Sequence, residues 1–267
     1  MSTTRGLQAS TVARAAAPVL LLVAAMGLPP LSGVATLVLV GGTAVALERK
    51  APVAWAWAAM IPATALATVR WLSGVVPFGT PAACEAFGAP RVAWAVVDAV
   101  VVVAAFTALA VALRTRRASI GLRKPARRAV RNAVLGFGAF AIGGFVVVSL
   151  VNGGLPGPTN GDPSTVQFVL AVLVGALAIA IAEEVAFRGV LQHWLARTTG
   201  EWPAVVVQGV AYGVWVTAAG WGPLFGIVAA AAGLVAGAIT VRTNSILTAL
   251  AWHAGIAIPL FAVLLCP

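Results

Sequence analysis

Along this chain apolar positions do not alternate with polar ones. They run on for about 17–25 residues at a time, and the charges gather in the short segments between. That length is what a helix rising 1.5 Å per residue needs to cross roughly 30 Å of hydrocarbon. The pattern predicts membrane helices near 12–28, 31–47, 52–76, 92–113, 132–151, 166–187, 203–219, 222–241 and 245–265. The count is eight or nine, because "GLPPLSG" at 27–33 reads either as a tight turn between two spans or as a kink inside one long tilted helix. The expected fold class is all-α, a polytopic transmembrane helix bundle.

Composition points the same way. Of 267 residues, 61% are hydrophobic and 9% charged, against roughly 45–50% apolar and 25% charged in a soluble globular domain. No internal repeat of fixed period stands out, and the Ala, Val and Gly richness suits helices that approach closely in lipid. The first apolar run follows only Arg5 and Arg14 and lacks a convincing cleavage site, so it is expected to stay as an anchor.

The formal charge of +10 changes the picture only through its placement. With nine spans and a cytoplasmic amino terminus, every lysine and arginine except Arg70 and Arg91 falls on the inner side, and the loop "NGGLPGPTNGDP" on the outer side carries none. The basic run "RTRRASIGLRKPARRAVR" is therefore read as a topology anchor against anionic lipid, not a nucleic-acid surface. The expected location is an integral position in a bacterial-type cell membrane, with lipid as the first partner. Cys84 and Cys266 both fall outside in this topology, either paired in an oxidising compartment or unrelated at two helix ends.

Ionisable residues within spans are costly and so draw attention. Arg70 and Asp98 lie at similar distances from the outer ends of consecutive spans, and an ion pair between them answers both charges as structural glue. The other group is "AIAEEVAFRGVLQHW" at 180–194. On a helix Glu184 and Arg188, four apart, share a face and pair, while Glu183 turns toward a neighbouring span with no partner on its own helix. A carboxylate in a dry site is a candidate general base; two solvated acids at a helix end are the other reading. His253, about two turns into the last span, is either a site residue near Glu183 or a core histidine. His193 should run along the cytoplasmic interface without a role.

"EEVAFRGVLQ" at 183–192 resembles the first motif, E-E-x-x-x-R followed by Gly, of the CAAX-protease and bacteriocin-processing family of intramembrane proteases, and "SIGLRKP" at 119–125 resembles a segment that often precedes its core. The resemblance spans about 119–265. It implies an amino-terminal unit of helices plus a basic loop over 1–118 and a CAAX-protease-like core over 119–267. It also implies an endopeptidase acting on membrane-associated peptide or protein substrates, in which Glu183 activates the attacking water and Glu184 and Arg188 support it. The pattern is incomplete elsewhere. The second motif, F-x-x-x-H, is met by "YGVWV", with Tyr212 in the aromatic place and Val216 where His belongs; Tyr212 and Trp215 are the substitute donors on that helix. The third, H-x-x-x-N or H-x-x-x-D, is met by "HAGIA", with His253 present and Ala257 in the amide or acid place. There is no H-E-x-x-H and no cysteine nearby to make a zinc site, and a metal held by Glu183, Glu184 and His253 stays open, so no cofactor is assigned. The alternatives to a protease are a non-catalytic membrane scaffold or immunity-type protein that keeps the fold, and a transporter, for which matched repeats with broken helices are missing.

Overall fold

The computed structural model describes residues 17–22, 24, 28, 31–51, 53–75, 90–113, 126–154 and 164–265. Among them every regular element is helical: α1 Ser32–Glu48, α2 Ala54–Val75, α3 Pro90–Ala112, α4 Arg127–Asn152, α5 Thr165–Glu183, α6 His193–Thr199, α7 Glu201–Val216, α8 Gly222–Thr243 and α9 Ile246–Leu265. Two π-helical segments join neighbours, Glu184–Gln192 between α5 and α6 and Thr217–Trp221 between α7 and α8.

Among the described residues six helical runs are long and apolar enough to cross a membrane: Arg91–Val111, Arg127–Leu150, Thr165–Thr199, Glu201–Ala219, Gly222–Thr243 and Ile246–Leu265. This is fewer than the eight or nine expected, for two physical reasons. α1 has only 17 residues. α2 carries Trp55, Trp57, Pro62, Arg70 and Trp71, which lower its hydropathy, and it has less need of an apolar surface because its alanines are inside the bundle: Ala56, Ala58, Ala59 and Ala63 are fully buried. The expected span at 12–28 falls largely outside the described residues, as do Cys84, Cys266 and "SIGLRKP".

The longest element is the rod from Thr165 to Thr199, 35 residues of unbroken helix. Ser164 caps its start by accepting a hydrogen bond from the Gln167 amide, and Gly200, at φ +90°, ends it in a backbone conformation that glycine adopts without strain. Its second half corrects the sequence expectation. The "GVLQHW" tail does not turn along an interface but continues the rod, and Trp194 and Leu195 are fully buried, Trp194 lying edge-on to Trp55 and near Phe106.

Around the rod, α7 and α8 pack as a hairpin, α9 lies against α4 and α5, α3 against α5, and α2 against α1, α3 and the lower rod. Two apolar clusters result. One joins α2, the π segment and α7 through Met60, Leu66, Phe187, Leu191, Trp194 and Trp215. The other joins α3, α5 and α9 through Val92, Phe168, Val172, Phe261 and Leu265. Glu183 and Glu184 sit on the rod where one cluster gives way to the other.

Close approach between α4 and α9 depends on glycine. A Cβ on Gly255 would lie 2.6 Å from the Phe137 carbonyl oxygen, which is backbone and has little room to give, whereas a Cβ on Gly143 would meet nothing within 4 Å. We expect Gly255→Ala to cost about 1–3 kcal/mol, the usual range for overpacking, read as a lowered melting temperature in detergent, and Gly143→Ala on α4 to leave the melting temperature unchanged.

Candidate active site

Glu183 is the last residue of α5 and Glu184 the first of the π segment. The π turn closes i→i+5 hydrogen bonds and is wider than an α turn, a geometry that recurs at functional sites. It separates the two carboxylates and gives each its own partners. Glu184 Oε1 accepts from Arg188 Nη1 at 2.9 Å and meets His253 Nδ1 at 2.9 Å. Glu183 Oε1 accepts from the Trp215 indole N–H at 3.2 Å, and its Oε2 lies 3.5 Å from His253 Nε2. The Arg188 guanidinium lies over the Tyr212 ring at 4.6 Å, a cation–π contact, and the Tyr212 hydroxyl is within reach of Glu183. All of this is dry: Glu184 and Arg188 are 1% and 2% exposed, Glu183 7%.

The imidazole therefore bridges two carboxylates, one at each ring nitrogen. Arg188 neutralises Glu184, and Nδ1 facing Glu184 acts as a donor. Nε2 faces Glu183 Oε2 at 3.5 Å, so one ring on α9 ties together the two carboxylates of the rod.

The structure thus brings together Glu183, Glu184, Arg188, Tyr212, Trp215 and His253, with some differences from expectation. Glu183 has no partner on its own helix, but α7 and α9 supply two. His253 makes its shorter contact with Glu184, not Glu183. Trp215, considered as a replacement for the histidine absent at Val216, directs its N–H at Glu183. His193 lines a separate polar cavity of about 300 Å³ with Arg197 and Glu201. Among the described residues no group of three His, Cys, Asp or Glu is arranged to hold a metal.

A cavity of about 420 Å³ opens beside the site between α4, α7, α8 and α9. Glu184, Arg188, Tyr212 and His253 form its polar end; Phe140, Val228, Ala232, Val235, Trp252 and Ile256 form much of the remaining wall. Val228 and Val235 are exposed at 59% and 55%, as lipid-facing side chains are. The cavity is therefore largely apolar, and Glu184 lines it while Glu183 does not. Oε2 of Glu184 is buried and has no hydrogen-bond partner, so an acceptor stands ready at the polar end.

Residues 165–258 match the family model of type II CAAX prenyl endopeptidase Rce1-like proteins. The segment is Rce1-like. No curated protein and no solved structure matches the chain. The Rce1-like segment contains all six residues gathered above; α1–α4 lie outside the match.

One pair outside the Rce1-like segment reaches the site. Arg70 Nε on α2 is 3.3 Å from Asp98 Oδ2 on α3, the ion pair expected from their depth. Its surroundings were not expected. Reading depth from the span ends put this pair near the outer boundary and Glu183 near the inner one, but the Arg70 guanidinium carbon is 6.0 Å from the centre of the Trp215 ring, whose N–H donates to Glu183. Glu183 is in mid-rod because the rod runs on to Thr199, a length that only the buried packing of Phe187, Leu191, Trp194 and Leu195 explains. The sequence signal for this neighbour was Asp98 itself, a carboxylate inside a span.

Because Arg188 and Glu184 are both buried, Arg188→Ala leaves a carboxylate with only an imidazole to answer it. We expect a loss of about 3–5 kcal/mol, seen as a large drop in melting temperature. The apolar double variant Glu184→Leu with Arg188→Met should lose less than Arg188→Ala alone.

Proposed function

We propose that the chain is an integral membrane endopeptidase in which Glu183 activates a water for attack on a peptide bond of a membrane-associated peptide or protein tail. The observation that carries this reading is the His253 bridge, which couples a candidate base to a neutralised Glu184–Arg188 pair at the end of an apolar cavity. Of the two carboxylates, Glu184 is committed to Arg188 and His253 at 2.9 Å each, while Glu183 is held by longer contacts of 3.2 and 3.5 Å. Glu183 is the less tightly held carboxylate, and the base is assigned to it on that ground.

The steps balance as follows. Glu183 takes a proton from water, and the hydroxide oxygen bonds to the carbonyl carbon. His253 and Tyr212 donate to the oxyanion that forms. The C–N bond then breaks, and the proton held by Glu183 passes to the leaving amine. Glu184 Oε2, at the cavity wall, accepts from a substrate N–H and sets the register of the peptide. The apolar walls suit a substrate that arrives from the bilayer, so the partners are lipid and a membrane-anchored chain. We assign this work to a core of 119–267, with 1–118 as the amino-terminal unit, in a cell membrane of bacterial type with the amino terminus cytoplasmic.

A second reading has its own support. Val216 and Ala257 stand where the resembling pattern has polar residues, and the Trp215 N–H is engaged by Glu183. A binding-only descendant, a scaffold or immunity-type protein, keeps this core because removing any one charge from it is costly.

The two readings part on one variant. Glu183→Gln should reduce cleavage of a membrane-anchored reporter by about 10²–10⁴, the range for a general base, with the melting temperature close to wild type. Cleavage that survives Glu183→Gln rules out the assigned base, and a folded wild type that cleaves no reporter favours the binding-only descendant.

Orientation is tested separately. In a chain without other cysteines, Thr159→Cys should label with an impermeant maleimide on intact cells and Ser119→Cys only after permeabilisation; the reverse pattern inverts the topology.

A further inference from the structure

At the Thr199 end of the rod, where α7 starts and α8 ends, lies the polar cavity of about 300 Å³; Gln192, Arg197, Glu201, Thr240 and Asn244 are among the residues that line it. Arg197 and Glu201 are four apart, the spacing that pairs Glu184 with Arg188, yet among the described residues neither forms an ion pair. Gly200 is the reason. At φ +90° it ends the rod between them, so Arg197 stays on one helix and Glu201 opens the next. The Arg197 guanidinium carbon lies instead 3.9 Å from the centre of the Trp55 ring, a contact that occupies the face of the guanidinium and leaves its N–H edge for a ligand. Two opposite charges thus border one cavity without neutralising each other.

The backbone and one buried side chain add groups of both kinds. The first amides of α7 follow Gly200, an N-cap with no side chain to accept from them. The last carbonyls of α8 come just before Asn244, which closes that helix in the left-handed conformation at φ +52°. Gln192 is 3% exposed, and its Oε1 has no hydrogen-bond partner. The depth of the cavity is marked as well. Trp202, beside Glu201, is 56% exposed, as indoles are where hydrocarbon meets the polar layer, and three membrane-length helical runs, the rod, α7 and α8, have an end here.

We propose that this cavity binds the headgroup of a phospholipid carrying a primary ammonium, a phosphoethanolamine diester, with the phosphate on Arg197 and the α7 amides and the ammonium on Glu201 and Gln192 Oε1. Glu201 opposes a headgroup that is only negative, and a quaternary ammonium has no N–H to donate to Glu201 or Gln192. None of these residues belongs to the Glu183–His253 centre, so the assignment stands apart from the endopeptidase reading.

The test uses the full chain in detergent. Phosphatidylethanolamine, phosphatidylcholine and phosphatidylglycerol of one acyl composition are added separately, and bound lipid is read by native mass spectrometry. Wild type should hold phosphatidylethanolamine about tenfold more tightly than the other two, the scale of one charge-assisted hydrogen bond. Glu201→Gln should abolish that preference, and Arg197→Gln should weaken all three lipids, since all carry the phosphodiester. Arg242→Gln removes an exposed arginine at the end of α8 that does not line the cavity, and should leave the preference as in wild type. If Arg197→Gln does not fold, Glu201→Gln against Arg242→Gln carries the test. Equal retention of the three lipids by wild type, a preference that survives Glu201→Gln, or one lost equally in Arg242→Gln overturns the proposal. Displacement of the lipid by soluble glycerophosphoethanolamine at matching concentration overturns the assignment to a lipid.

Discussion

Everything around the site follows from one constraint, the burial of the Glu184–Arg188 ion pair in a bundle whose surroundings are apolar on all sides. At 1% and 2% exposure neither group has water to fall back on, so each must be answered by protein. Arg188 answers Glu184 from one side and His253 from another, which fixes where α9 stands against the rod. His253, once anchored by Nδ1, turns Nε2 toward Glu183, and Trp215 on α7 closes the remaining side. Four helical elements are thereby held around one small polar centre, and the apolar clusters on either side keep it dry.

The π segment is the local device that makes this arrangement possible. In an unbroken α-helix, adjacent residues diverge by about 100° and follow the helix face. The wider π turns from Glu184 to Gln192 spread buried side chains to several neighbours at once: Phe187 and Leu191 toward the α2 cluster, Arg188 toward Tyr212, and Gln192, whose Nε2 donates to the Gly237 carbonyl of α8 at 3.0 Å. The Gln208 amide on α7 makes a similar bond to Gly233 at 2.7 Å, so two glycines on α8 let polar side chains reach its backbone. These contacts tie the Rce1-like helices into one unit and leave the cavity between α4 and α8 beside the polar centre.

Much of the site was legible because its chemistry is rare in this sequence. With only seven acidic residues and two histidines in 267, Glu183, Glu184, Asp98 and His253 could not be lost in background, and spacing four apart assigned Arg188 to Glu184. What spacing could not give was depth and direction. Span ends estimated from hydropathy placed Asp98 and Glu183 at opposite boundaries, and a helix-face argument left Glu183 without partners that α7 and α9 in fact supply.

By itself the sequence determined that this protein is a helical bundle in lipid, because runs of apolar residues of membrane length allow no other way to satisfy the backbone. It determined the Glu184–Arg188 pair too, since that interaction is local to one turn. Tertiary structure alone decided the rest. It decided that α2 can be poor in hydropathy because it is buried by protein, and that the rod continues to Thr199 because Trp194 and Leu195 find partners on other helices. It also decided that His253 bridges both glutamates and that Arg70 and Asp98 reach the same centre. Each of these depends on residues far apart in the chain, whose distances are set by how helices pack and not by how any one of them is spelled.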